Sequence, residues 1–94
     1  MKLAEEVVLV TGAAGQLGRQ FCKAMAREGA SVWVADLDLA ACQAVAGNLA
    51  SHQQHYPLVM DVSSPVSVKQ GFAEIEKQSG RVDTVINNVG IAVF

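Results

Sequence analysis

Three glycines, Gly12, Gly15 and Gly18, follow directly on an apolar run at residues 7–10 and Thr11. Helical periodicity begins at Gln16, so the glycines sit where a strand breaks into a helix. That order presents backbone N–H groups, and the positive end of a helix, to a phosphate. Gly12 permits the tight turn, Gly15 the close approach of a pyrophosphate, and Gly18 the packing of helix on strand. Asp36 lies eighteen residues beyond Gly18, at the end of a second apolar run. A carboxylate there accepts hydrogen bonds from both hydroxyls of an adenosine ribose and repels a 2′-phosphate. No Lys or Arg stands at Ala13, Ala14 or Leu37 to neutralise such a phosphate, so NAD is expected over NADP. Asp61-Val62 and Asn87-Asn88-Val89-Gly90 each stand just past a further apolar run. The ligand candidates therefore fall at the ends of successive strands rather than at scattered turns.

Positioning these groups takes an alternating β-α-β-α-β-α-β chain. Strands are expected at residues 7–10, 31–35, 58–60 and 82–87, the third opened by Pro57. The apolar runs do not alternate, which is the pattern of parallel strands buried on both faces. The first helix starts at Gln16, carries Leu17, Phe21, Ala24 and Met25 as its apolar stripe, and stops at Gly29. Asp38 is the expected N-cap of the second helix, which leaves Asp36 free; Leu39, Cys42, Val45, Ala46 and Leu49 form its stripe. Ser64 and Pro65 start the third helix, with Val68, Phe72 and Ile75 inward, Gly71 as a weak point and Gly80 as the stop. Right-handed crossovers then give strand order 3-2-1-4, with a crevice where the order reverses. The first two helices would share one face and the third would lie alone on the other. The fold class is thus a Rossmann-type α/β half with a four-stranded parallel sheet, incompletely covered on one face.

Composition narrows the partners. The 94 residues make one domain or part of one, here a single partial dinucleotide-binding domain over residues 1–94. A net charge of −2 gives no footing for nucleic acid or an anionic membrane. No apolar run reaches the ~20 residues of a membrane span. The N-terminus carries Glu5 and Glu6 and no cleavage-site pattern, so a cytoplasmic setting is expected. Cys22 and Cys42 read as small buried thiols in a reducing compartment. Apolar residues make up 51% of the chain, high for a length that buries only about 60–65% of its surface. Self-association, or association with a complementing segment, is expected from that excess and from an apolar fourth strand at the sheet edge.

The set T-G-A-A-G-Q-L-G at residues 11–18, V-A-D at 34–36, D-V at 61–62 and N-N-V-G at 87–90 resembles the short-chain dehydrogenase/reductase family. The resemblance covers the whole chain but only about the first third of a family member. It implies that Gly12, Gln16, Leu17 and Gly18 line the pyrophosphate and approach the nicotinamide side. It implies that Asp36 and Leu37 hold the adenosine ribose, and that Asp61 faces the adenine amino group with Val62 beside the ring. Asn88 and Gly90 would support the adenosine half and the fourth strand. Two departures stand out. Gln16 occupies a position where the common pattern has glycine, and Val89 replaces the alanine of N-N-A-G.

Family catalysis resembles hydride transfer assisted by a Ser and by a Tyr and Lys in Y-x-x-x-K. The single tyrosine here is Tyr56, and Met60 stands four residues later. No catalytic residue is therefore assigned, and the chain alone is not expected to turn over. The alternative of a different class is a non-catalytic dinucleotide-binding or interaction module. His52 and His55 have no Asp, Glu or Cys close in sequence to complete a metal site, so they read as solvated loop residues. The glycine turn lacks the Lys-Ser/Thr of a triphosphate loop. Thr11-Gly12-Ala13-Ala14 also does not fit the G-x-G loop of a methyltransferase.

Overall fold

The structure, a computed structural model, describes residues 2–88. Seven elements alternate: β1 (Val7–Thr11), α1 (Gln16–Arg27), β2 (Ser31–Asp36), α2 (Leu39–Gly47), β3 (Tyr56–Val59), α3 (Pro65–Ser79) and β4 (Thr84–Asn87). All strand pairs are parallel, in the order β3-β2-β1-β4. β1 is the central strand: Val10 sits between Val34 of β2 and Ile86 of β4, and all five of its residues are buried. The strand order and the four-strand parallel sheet are those expected from the apolar runs.

Side chains alternate across the sheet and build two cores. Val8, Val10, Val32 and Val34 face Cys22 and Ala26 of α1 and Cys42 and Val45 of α2. Val7, Leu9, Trp33 and Ala35 face the other way, toward Ile75 of α3. Among the described residues two helices therefore cover one face and α3 alone covers the other, as right-handed crossovers dictate. On that second face Phe72 is 36% exposed and Val85 47% exposed among the described residues.

The helix starts match their signals. Asp38 Oδ1 accepts from the N–H groups of Ala40 and Ala41, and Ser64 Oγ accepts from Ser67 N–H ahead of Pro65. Gly80, at φ 80°, ends α3 in the left-handed conformation.

Three local expectations shift. The buried residues of α1 are Gly18, Cys22 and Ala26, while Leu17 is 58% exposed. Small residues at i, i+4 and i+8 let the helix backbone lie close to the sheet, and the bulkier Phe21 and Met25 pack at the flank of the core. β3 begins at Tyr56 rather than Leu58. It is an edge strand, where Pro57 can lack an N–H without breaking a ladder, and Tyr56 stacks on its neighbour Trp33 with ring centroids 4.3 Å apart. His55 lies in the loop before β3, as expected, but its ring is half-buried and bonded rather than solvated. Its Nδ1 accepts from Val32 N–H at 3.0 Å and its Nε2 lies 2.6 Å from the Ala50 carbonyl, so the Nε2–H tautomer satisfies both.

Candidate functional site

Beyond the C-terminal ends of the strands lies an open cleft of about 530 Å³. Gly12 and Gly15 form one wall, and Asp36 and Leu37 close the β2 side. Met60, Asp61, Val62 and Ser63 line the β3 side, and Asn88 the β4 side. Seven of the residues singled out by sequence thus meet in one cleft: Gly12, Gly15, Asp36, Leu37, Asp61, Val62 and Asn88. Gly18 is buried behind the turn, while Gln16 and Leu17 are exposed on the first turn of α1 beside Arg19 and Gln20. Gly90, with Val89 and residues 91–94, lies outside the described residues.

The glycines differ in what they answer to. Gly12 has φ 62°, a conformation that side chains rarely adopt. A Cβ on Gly18 would overlap the Gly12 carbonyl oxygen and stand 2.8 Å from Ala13 Cα, so α1 packs directly on the turn only because that atom is missing. Gly15 obeys neither constraint. Its φ is −75° and a Cβ there would lie 3.5 Å from the Gly12 oxygen, an ordinary contact. Among the described residues nothing requires glycine at this exposed position, whereas a ligand lying against the backbone would. Gly15 is also the N-cap of α1 and supplies no side-chain hydrogen bond. The helix therefore presents its first-turn N–H groups outward.

Asp36 is not left free. Its Oδ2 accepts from Ala14 N–H at 2.9 Å and its Oδ1 from Leu37 N–H at 2.7 Å. A carboxylate has about four acceptor sites, so each oxygen keeps capacity for a hydroxyl donor. Asp61 Oδ1 accepts from the Ser63 hydroxyl at 2.6 Å and the Ser63 N–H at 3.0 Å, which holds its carboxyl below the usual carboxylate range. The Asp61 N–H donates to Ser67 Oγ at 2.9 Å, fixing the end of β3 to the first turn of α3.

Asn88 fastens β4 to the glycine turn. Its N–H donates to Thr11 Oγ1 at 3.1 Å, and its Nδ2 reaches the Gly12 carbonyl at 3.5 Å. Thr11 Oγ1 in turn donates to Asn87 Oδ1 at 2.9 Å. Thr11, only 2% exposed, was missed as a site residue, although a hydroxyl between an apolar strand and a glycine is itself a signal. Met60 and Ser63, which also line the cleft, were missed too. Neither stands out by type in the sequence, and only the turn after β3 brings them to the cleft.

The reactive side chains lie elsewhere. Tyr56 stacks on Trp33 at the β3 edge. Both cysteines are buried; burial pushes the Cys22 thiol up to about 12 and raises that of Cys42, so neither is poised as a nucleophile. Among the described residues, no group of three or more His, Cys, Asp or Glu side chains could hold a metal ion. No helix of the described residues is long and apolar enough to cross a membrane.

A family model described as short chain dehydrogenase matches residues 6–94. Among curated proteins, the uncharacterized oxidoreductase YxjF of Bacillus subtilis is 41% identical over 90 residues, which are 95% of this chain and 35% of the relative. The sorbitol dehydrogenase of Cereibacter sphaeroides is 33% identical over 91 residues, covering 97% of this chain and 35% of that protein. Among solved structures, a short-chain type dehydrogenase/reductase from Mycobacterium marinum superposes with a TM-score of 0.89 at 31% identity, covering 96% of this chain and 37% of that one. NAD+-bound xylitol dehydrogenase gives a TM-score of 0.90 at 26% identity, covering 96% and 35%. The chain spans about 35% of the length of these curated relatives.

Proposed function

The chain belongs to the short-chain dehydrogenase family, and from that premise we propose that it is the NAD(H)-binding part of an oxidoreductase, holding the cofactor without itself supplying the acid–base groups. The observation that carries this reading is the convergence of Gly12, Gly15, Asp36, Asp61 and Asn88 on one cleft from four different strand ends. The residues present fit a dinucleotide. The bare backbone at Gly15 and the uncapped first turn of α1 suit a pyrophosphate. Gln16, Leu17 and Gly18 belong to that same turn. The remaining acceptor sites of Asp36 suit two ribose hydroxyls, with Leu37 beside them and Asp61 and Val62 at the base. Asn88 holds the end of β4 against the glycine turn, on the side proposed for the adenosine half. When bound, the nicotinamide would supply hydride transfer; this chain's own residues bind and orient.

Asp36 also sets the cofactor preference. A carboxylate pinned on both oxygens cannot turn away from a 2′-phosphate. The chain is proposed to work in the cytoplasm, where its two free thiols stay reduced. It is proposed to associate with a second copy or with a complementing segment, because one sheet face is incompletely covered.

Titration of the chain with NADH and NADPH, followed by nucleotide fluorescence, tests this. NADH should bind at least about tenfold tighter than NADPH, a difference of ~1.4 kcal/mol. Asp36→Ala should abolish that preference and most of the binding. Equal affinity of the unaltered chain for the two nucleotides would contradict the reading. So would a measurable NADH-dependent reductase rate from the chain by itself, which is expected to be absent.

A further inference from the structure

We infer that Asp36 is also a positioning residue for the glycine turn, so that it governs pyrophosphate binding as well as the ribose. The inference rests on the NAD reading above and deepens it.

Three consecutive amides run through the turn, and each has a partner. Ala13 N–H donates to the Ala35 carbonyl at 3.0 Å and Gly15 N–H to the Gly12 carbonyl at 3.2 Å. Ala14 N–H alone donates to a side chain, Asp36 Oδ2, at 2.9 Å. The middle of the turn is thus held by a group from the neighbouring strand. That group is itself fixed, because Leu37 N–H occupies the other oxygen at 2.7 Å. Both bonds have an ionised acceptor, the stronger and shorter kind. Backbone on either side of Ala14 cannot shift without breaking one of them. Gly12 and Gly15 carry no Cβ and would otherwise let the turn sample many shapes. A ligand bound by backbone N–H groups needs those groups already aimed, since ordering them on binding weakens affinity.

Charge and position make opposite predictions, which renders the inference testable. A carboxylate beside an anion repels it. Simple electrostatics therefore says that removing Asp36 should tighten binding of a bare anion. Positioning says that removal should weaken it, and that an amide of the same shape, which can keep one acceptor oxygen for Ala14 N–H but not a second for Leu37 N–H, should restore it in part.

The test uses inorganic pyrophosphate, which has neither ribose nor base. The 15N-labelled 94-residue chain is titrated with it while the amides of the turn and the first turn of α1 are followed by NMR. Binding should weaken about fivefold or more in Asp36→Ala and clearly less, or not at all, in Asp36→Asn. The Ala14 amide resonance should move upfield in Asp36→Ala and much less in Asp36→Asn. Spectral dispersion elsewhere reports whether each variant is folded. Asp36→Ala binding pyrophosphate as tightly as Asp36→Asn would overturn the inference while leaving the NAD reading in place, provided the unaltered chain still binds NADH. Absence of any pyrophosphate response at the turn of the unaltered chain would overturn the inference, and absence of NADH binding as well would overturn both.

Discussion

At the scale of single residues, identical letters carry different physics. Gly18 and Gly47 are both helical glycines. A Cβ on Gly47 would meet nothing within 4 Å, whereas one on Gly18 would run into the Gly12 carbonyl. Gly47→Ala should therefore stabilise the chain by about 0.5–1 kcal/mol through helix propensity and lost unfolded-state entropy. In the same thermal melt, Gly18→Ala should lower Tm sharply, because the colliding atom is backbone and cannot give way. Equal melting of the two variants would refute the close approach of α1 to the turn. The spacing of glycines suggested this division of labour and could not prove it. Gly12, Gly15, Asp36, Asp61 and Asn88 were legible because each stands just after an apolar run. Met60 was not, since a lone thioether signals nothing until neighbouring strands are placed, and the hydroxyl of Thr11, between an apolar run and a glycine, was a signal passed over. His55 was misread for a related reason: its partners, Val32 and Ala50, lie 23 and 5 residues away.

At the scale of elements, β4 depends on a tether at its N-terminal end. Asp83 Oδ2 accepts from Val7 N–H at 2.7 Å, and Asp83 N–H donates to the Val7 carbonyl at 2.8 Å. Arg81 Nε donates to the same carboxylate at 2.9 Å, and its guanidinium also reaches the Glu5 carbonyl. The Val7 N–H first, and Arg81 after it, hold the Asp83 carboxyl below the usual carboxylate range. A depressed folded-state pKa contributes stability that is present above the ordinary Asp value of about 3.9 and lost as pH falls through the folded value. Denaturant melts should therefore show stability falling below about pH 4, and Asp83→Asn should flatten that fall. Asp61, lowered by Ser63, contributes to the slope that remains in the variant. An unchanged acid limb in Asp83→Asn would remove Asp83 from this role. The tether explains why β4 starts at Thr84 rather than at residue 82. Asp83 is committed to Val7, and the ladder proper begins with Val8↔Thr84. The helices, by contrast, were legible almost to the residue, because Asp38, Ser64-Pro65 and Gly80 are local signals.

At the scale of the whole molecule, the two faces of the sheet are unequal. α1 and α2 close one face, while beside α3 on the other lies an apolar hollow of about 260 Å³ lined by Leu9, Thr11, Met60, Val68, Phe72 and Val85. A parallel sheet is normally covered on both faces. The exposed Val85 stands on β4, an edge strand among the described residues. The chain by itself is therefore expected to associate at micromolar concentration. Sedimentation equilibrium should report a mass above 9.9 kDa, and Val85→Lys should lower it by placing a charge on the open edge. A monomer mass for the unaltered chain across that range would count against association. The strand order that creates this asymmetry was legible from element alternation and the handedness of crossovers. The identity of whatever covers the hollow was not, because an apolar stripe such as Val68, Phe72 and Ile75 does not say which of its members has a neighbour.

The central place of β1 also sets a schedule. Residues 7–11 are synthesised before the other described strands, yet their partners Thr84–Asn87 come more than seventy residues later. A nascent chain can pair β1 with β2 early but leaves its other edge bare until β4 has been made. Closing so long a stretch of sequence is slow compared with local pairing. For that interval the run Val7, Val8, Leu9 and Val10 is a sticky, half-dressed strand, and the cell has to guard it or outrun its aggregation.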